Sequence, residues 1–171
     1  ASGNNHTEAT LHGLYELVER ESVSRLFGGG KLRLEGATIV DPATLPGSVL
    51  PELVDRIRAA GLDLRLLRVA APVAVEVAWA ILLDPSAQDA MTTLNMGWGA
   101  QPDFEGALVR AITEAAQTRL AIIHGARRQP RSEDADIRAF IRRAGIFRAS
   151  TSERTDGQNS DSTHKARSGF Q

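Results

Sequence analysis

The chain has 171 residues, and its 20 Lys and Arg against 21 Asp and Glu leave a net charge of −1. That balance argues against a general nucleic-acid or membrane-surface binder, and the lack of any cysteine excludes disulfide frameworks, thiolate zinc sites and cysteine nucleophiles. An apolar content of 42% supports a core, which the 5% of aromatics leaves to Leu, Val, Ile and Ala. The length suits one domain, or one domain with a tail. No apolar run reaches the roughly 18 residues of a membrane helix, and Ala1 opens no signal peptide. The expected location is the cytoplasm.

From Thr7 to about Phe27, Leu11, Leu14, Tyr15, Val18 and Leu26 recur at helical spacing, and Gly28-Gly29-Gly30 stops the helix. The triplet lacks the Lys-Ser/Thr and the strand–loop–helix order of a P-loop. Lys31 to Val40 alternates as a short strand broken at Gly36. Leu50 to Ala60 reads as a second helix with Leu53, Val54 and Ile57 on one face and Gly61 as its stop. Leu62 to Val69 alternates like a half-buried strand, and Val73 to Leu83 is apolar enough for a strand buried on both faces. Within it Glu76 is the single charge, expected at a strand edge or in an ion pair.

Leu94 to Pro102 is expected as a Gly-rich loop feeding a third helix that starts near Asp103 and runs to His124. Its alanines predict close packing. Ser132 can cap a fourth helix, with Ile137, Phe140 and Ile141 as its stripe and Gly145 as its stop. Residues 148–171 hold only Ala149, Ala166 and Phe170 as apolar side chains, too few to offset the entropy of ordering. The chain therefore divides into an α+β domain over residues 1–146 and a disordered polar tail over 147–171.

Two helices carry chemistry. On the first, Glu16, Glu19 and Arg20 share a face, with His12 one turn upstream. Two carboxylates at that spacing can hold a hard cation, and an adjacent arginine suits phosphate oxygens. The same pattern also marks a solvated face with an i,i+4 Glu16–Arg20 pair, its commoner origin. On the third helix Arg110, Glu114 and Gln117 fall on one face, opposite Ala107, Leu108, Ala111, Ile112, Ala115 and Leu120. The glycines of Gly97-Trp98-Gly99 allow close backbone approach to a ligand, and equally a tight turn. The four histidines, His6, His12, His124 and His164, show no paired metal-binding spacing.

Taken together and in order, three segments resemble the YcaO family. NNHTEATLHGLYELVERESVSRLF (residues 4–27) is similar to that family's SxxExxER helix. GLDLRLLRVAAPVAVEVAWAILLD (61–84) is similar to its strand pair, and GWGAQPDFEGALVRAITEAAQTRL (97–120) to the Gly-Ala loop and the helix with an ExxQ motif. The matches span about residues 3–128.

The resemblance implies an α+β fold with a mixed or antiparallel sheet packed against helices, here as a partial domain. It also implies ATP- and Mg2+-dependent chemistry on a peptide backbone, in which the amide oxygen, activated by attack of a nucleophile, is phosphorylated. A Cys, Ser or Thr nucleophile gives an azoline (a cyclodehydratase), and a sulfide source gives a thioamide. By motif position Glu16 and Glu19 are implied metal ligands, Arg20 a phosphate-binding or structural arginine, and Glu114 and Gln117 their partners from the third helix, with Glu114 on the metal. Arg119 is a further candidate for the cofactor. The implied partners are a ribosomal precursor peptide or protein substrate and a TfuA-like or leader-binding protein.

The sequence departs from the pattern at Gly13, which replaces the motif serine, and a partial domain is expected, with no matching flank before Ala1 or after the RLAIIHGARR segment (119–128). An alternative reading is a truncated, non-catalytic nucleotide- or peptide-binding module. Strands without their sheet partners also predict self-association as a homo-oligomer.

Overall fold

The structure, a computed structural model, describes residues 2–28, 32–45, 47–87 and 93–125, together with residue 139. The first helix, α1, spans His6–Leu26. Its start is fixed by reciprocal capping: Asn5 accepts the Glu8 N–H at 2.9 Å, and the Glu8 carboxylate accepts the Asn4 N–H at 2.8 Å. A turn with Gly36 at φ 90° leads into β1 (Ala37–Val40), and a 3-10 turn at Pro42–Thr44 precedes α2 (Val49–Ala59). Gly61, at φ 75°, turns the chain into β2 (Asp63–Val69), followed by β3 (Glu76–Leu83) and β4 (Leu94–Gln101). The third helix, α3 (Phe104–Ile123), is capped by Asp103, whose carboxylate accepts the Gly106 N–H at 2.7 Å.

The strands form one sheet in the order β1-β2-β3-β4, each pair antiparallel. Helices cover both faces. Leu67, Val69, Trp79 and Ile81 face α1, where Tyr15, Val18, Leu26 and Phe27 meet them. Leu64, Leu66, Ala78, Ala80 and Leu82 face Leu50 and Val54 of α2 and the apolar side of α3. Because β3 has a layer on each face, its residues 77–83 are buried without alternation. Trp79 and Trp98, opposite each other in the β3–β4 register, stack with ring centroids 4.6 Å apart. The Phe27 ring sets its edge against both, pinning the C-terminal end of α1 to the β3–β4 side of the sheet.

The α+β class, the three helices, β2 and β3 agree with expectation to within a few residues, while of the strand expected over Lys31–Val40 only the part after Gly36 forms β1. Glu76 is ion-paired with Arg68 at 3.0 Å. Three further details differ. The expected Gly-rich loop at 94–102 is strand β4: Gly97 and Gly99 point at α3, where a Cβ on either would run into helix backbone at Ala107, Ala111 and Ala115. These glycines therefore serve close helix–strand packing. The stripe of α1 is rotated from expectation, with Tyr15, Val18 and Leu26 inward and Leu11 and Leu14 exposed. Leu120, expected on the buried side of α3, is exposed at its end. Apart from residue 139, the expected fourth helix (132–145) lies outside the described residues, as do the tail (147–171), Gly29, Gly30 and His164.

Candidate functional site

The two acidic faces meet. Helix α1 packs against β4 from one face of the sheet and α3 from the other, and polar side chains of the two helices meet. Glu114 accepts the Trp98 N–H on Oε2 at 3.2 Å, so the carboxylate is held by backbone. Across the seam, α1 contributes Glu19, half-buried. Its pKa is pushed up to about 7, first by burial, then by the Glu114 charge and the more distant Glu16. Arg110 and Arg20 act in the opposite direction without cancelling the shift.

Arg110, one turn before Glu114, is held by a residue 98 positions away: its guanidinium donates to Nε2 of His12 at 2.6 Å. The seam thus gathers His12 and Glu19 from α1 with Arg110 and Glu114 from α3. Glu16 turns outward and accepts from Arg20 at 2.7 Å, and both are solvent-facing. The arginine's hydrogen bond and charge hold the Glu16 carboxyl below its ordinary range. The i,i+4 pair expected of an ordinary helix face therefore exists, while Glu19 on the same helix belongs to the seam. Gln117 is exposed, three residues beyond Glu114.

Arg119 has a different place. It donates to Asp84 at 2.6 Å, in a pair whose side chains are 20% and 11% exposed, against the end of β3. The Ser86 hydroxyl donates to the same carboxylate at 2.7 Å. Asp84 is held below the usual carboxylate range chiefly by the Ser86 hydrogen bonds, with Arg119 adding to them.

The chemistry of the seam fits a divalent cation carrying a polyphosphate. Magnesium is bound by one or two carboxylates plus phosphate oxygens more often than by an all-protein cage. Glu19 and Glu114 supply that donor type where burial and mutual repulsion favour an added positive charge. Among the described residues no three His, Asp or Glu side chains are placed to enclose a metal; Glu16 remains with Arg20. Each polar face was legible in its helix's spacing, while the pairing of α1 with α3 was implied only by the family resemblance. The roles of Arg110 and His12 were not legible, because the bond joining them spans nearly the whole described chain.

A four-stranded antiparallel sheet between helix layers, with a carboxylate pair at a helix–helix seam, defines the molecule as an α+β domain. The family model for YcaO cyclodehydratase, ATP- and Mg2+-binding, matches residues 1–168, and the chain belongs to the YcaO family. A protein from Rhizobium leguminosarum bv. trifolii, named for its place in the tfuA 3′ region, is 38% identical over 131 residues, 74% of this chain and 31% of the relative. The solved YcaO from Methanopyrus kandleri, bound with AMPPCP and Mg2+, superposes with a TM-score of 0.61 at 26% identity, over 77% of this chain and 33% of that one. A heterocyclase in complex with substrate and cofactor gives 0.63 at 27% identity, over 80% and 18%. The chain spans about a third of the length of the curated relatives it matches. Among the described residues no helix is long and apolar enough to cross a membrane.

Proposed function

We propose that this chain carries the nucleotide- and magnesium-binding helix pair of a YcaO-type enzyme, one that uses ATP to modify backbone amides of a ribosomally made peptide or protein. The observation that carries the reading is the meeting of Glu19 and Glu114, 95 positions apart in sequence (114 − 19), in one half-buried place. In this reading Glu19 and Glu114 hold Mg2+, and a bound cation supplies neutralisation of the polyphosphate charge as phosphoryl transfer proceeds. Arg110 faces phosphate oxygens with a planar guanidinium. Glu16 and Arg20 form the solvent side of the site, and Gln117 offers an amide for the nucleotide. The Asp84–Arg119 pair holds α3 against β3 and acts on the nucleotide only through that support.

Likeness to proteins bound with AMPPCP and Mg2+, and with substrate and cofactor, supports the assignment of ATP and Mg2+. The relative named for the tfuA region supports a TfuA-like partner.

Calorimetric titration of the full chain with AMPPCP, with and without Mg2+, tests the site. Magnesium-dependent binding that falls by about tenfold or more in Glu19→Gln and in Glu114→Gln is the expected result, a loss of the size that one charge-assisted contact accounts for. Absence of such binding in the parent chain, or its survival in both variants, would overturn the assignment.

A further inference from the structure

His12 lies in the second turn of α1, and both of its ring nitrogens are engaged. Nε2 faces the Arg110 guanidinium at 2.6 Å, and Nδ1 lies 2.9 Å from the Ser2 carbonyl oxygen. A guanidinium only donates, so Nε2 accepts and the ring proton sits on Nδ1, where the Ser2 carbonyl accepts it. The Ser2 N–H also points at Nδ1, but at 3.4 Å it is the weaker contact. Three segments are thereby joined through one imidazole: the residues preceding α1, α1 itself, and α3.

The path of those leading residues is built for this. Ser2 to Asn4 fold back over the first turns of α1 so closely that a Cβ at Gly3 would meet the backbone of Glu8 and Ala9. The Glu8 carboxylate accepts the Asn4 N–H at 2.8 Å and secures the same segment.

We propose that His12 is a positioning residue: through Nε2 it holds the Arg110 guanidinium at the α1–α3 seam, turned to receive the phosphate oxygens of a nucleotide, and the Ser2 carbonyl holds His12 in the tautomer this requires. An arginine side chain loses considerable freedom when fixed, so a second residue that fixes it beforehand removes that cost from ligand binding. The Nδ1–H tautomer is needed because the alternative sets a ring N–H against an arginine N–H. The inference rests on the proposed nucleotide site for the use of Arg110; the His12–Arg110 link itself stands on the geometry.

The test has two arms on the full chain. Heteronuclear NMR of the imidazole nitrogens is expected to show His12 with its proton on Nδ1, and to show the proton moved to Nε2, the form free histidine favours, in Arg110→Ala and in Gly3→Ala. A parent chain with the proton on Nε2, or a tautomer unmoved by both substitutions, would overturn the link. In the second arm, magnesium-dependent AMPPCP affinity should fall about tenfold in His12→Ala. It should return to within about threefold in His12→Gln, whose side-chain oxygen can accept from Arg110 in place of Nε2. Equal affinities in these two variants, both folded by circular dichroism, would overturn the positioning role. No magnesium-dependent binding in the parent chain overturns both the nucleotide site and the use of Arg110, and the NMR arm then decides the His12–Arg110 link alone.

Discussion

The backbone N–H of Trp98 donates to Oε2 of Glu114 at 3.2 Å, tying strand β4 to the acidic face of α3. The bond has two consequences. The carboxylate is held in place before any ligand arrives, and the Trp98 N–H on this strand has a partner. Charge and acceptor can be separated by substitution, because a glutamine keeps the second and loses the first.

Glu114→Gln should therefore leave stability within about 0.5 kcal/mol of the parent, whereas Glu114→Ala, which strands the Trp98 N–H, should cost about 1–2 kcal/mol. Urea denaturation followed by tryptophan fluorescence distinguishes them. Equal stabilities for the two variants would show that the Trp98 bond contributes nothing.

The pH profile of stability should carry the signature of Glu19. Its folded pKa of about 7 exceeds the ordinary 4.5, so the folded state binds this proton more tightly than the unfolded chain. The corresponding contribution to stability is complete below about 4.5 and is lost as pH rises through 7. Thermal melts between about pH 4.5 and 8 should show Tm falling across this window, and the fall should be smaller in Glu19→Gln. The same slope in both proteins would place the titrating group elsewhere.

Gly97→Ala should be among the most damaging small substitutions in the chain. A Cβ there runs into the Ala111 carbonyl oxygen and the Ala115 nitrogen, both main-chain atoms of α3 that cannot rotate away. A loss of about 3 kcal/mol or more is expected, with α3 lifted from β4 and the carboxylate pair separated. Gly28→Ala, where a Cβ meets nothing within 4 Å, should stay within about 0.5 kcal/mol of the parent. Comparable losses at both positions would contradict the close-packing role.

Arg119→Gln separates support from binding. The Asp84–Arg119 pair is mostly buried, and removal of the arginine takes a charge partner from Asp84 while leaving its Ser86 hydrogen bonds. The expected result is a clear loss of stability, of about 1–3 kcal/mol, with magnesium-dependent nucleotide affinity unchanged in the folded protein. Weakened affinity at unchanged stability would return Arg119 to the nucleotide.

Much of this molecule is determined by the sequence alone, and the legible part is local. Apolar spacing along α2 and α3, the helix start at Asp103 and the positive-φ glycine at 61 all act within a few residues, so periodicity and residue type suffice to find these elements. The two-sided burial of β3 is equally plain from its unbroken apolar run. The Gly97-Trp98-Gly99 segment is ambiguous by the same logic: the glycines can make a loop or admit a neighbour, and the helix backbone that admission requires comes from residues 107–115. Likewise the spacing of Glu16, Glu19 and Arg20 defines a helix face, whereas the tertiary structure decides that Glu16 keeps its neighbour Arg20 while Glu19 is half-buried beside Glu114. Pairings such as His12 with Arg110, or Asp84 with Arg119, depend on how layers stack on the sheet. Side-chain identity sets what each residue can do; burial and the charges brought next to it, which only chain folding supplies, decide which of those things it does.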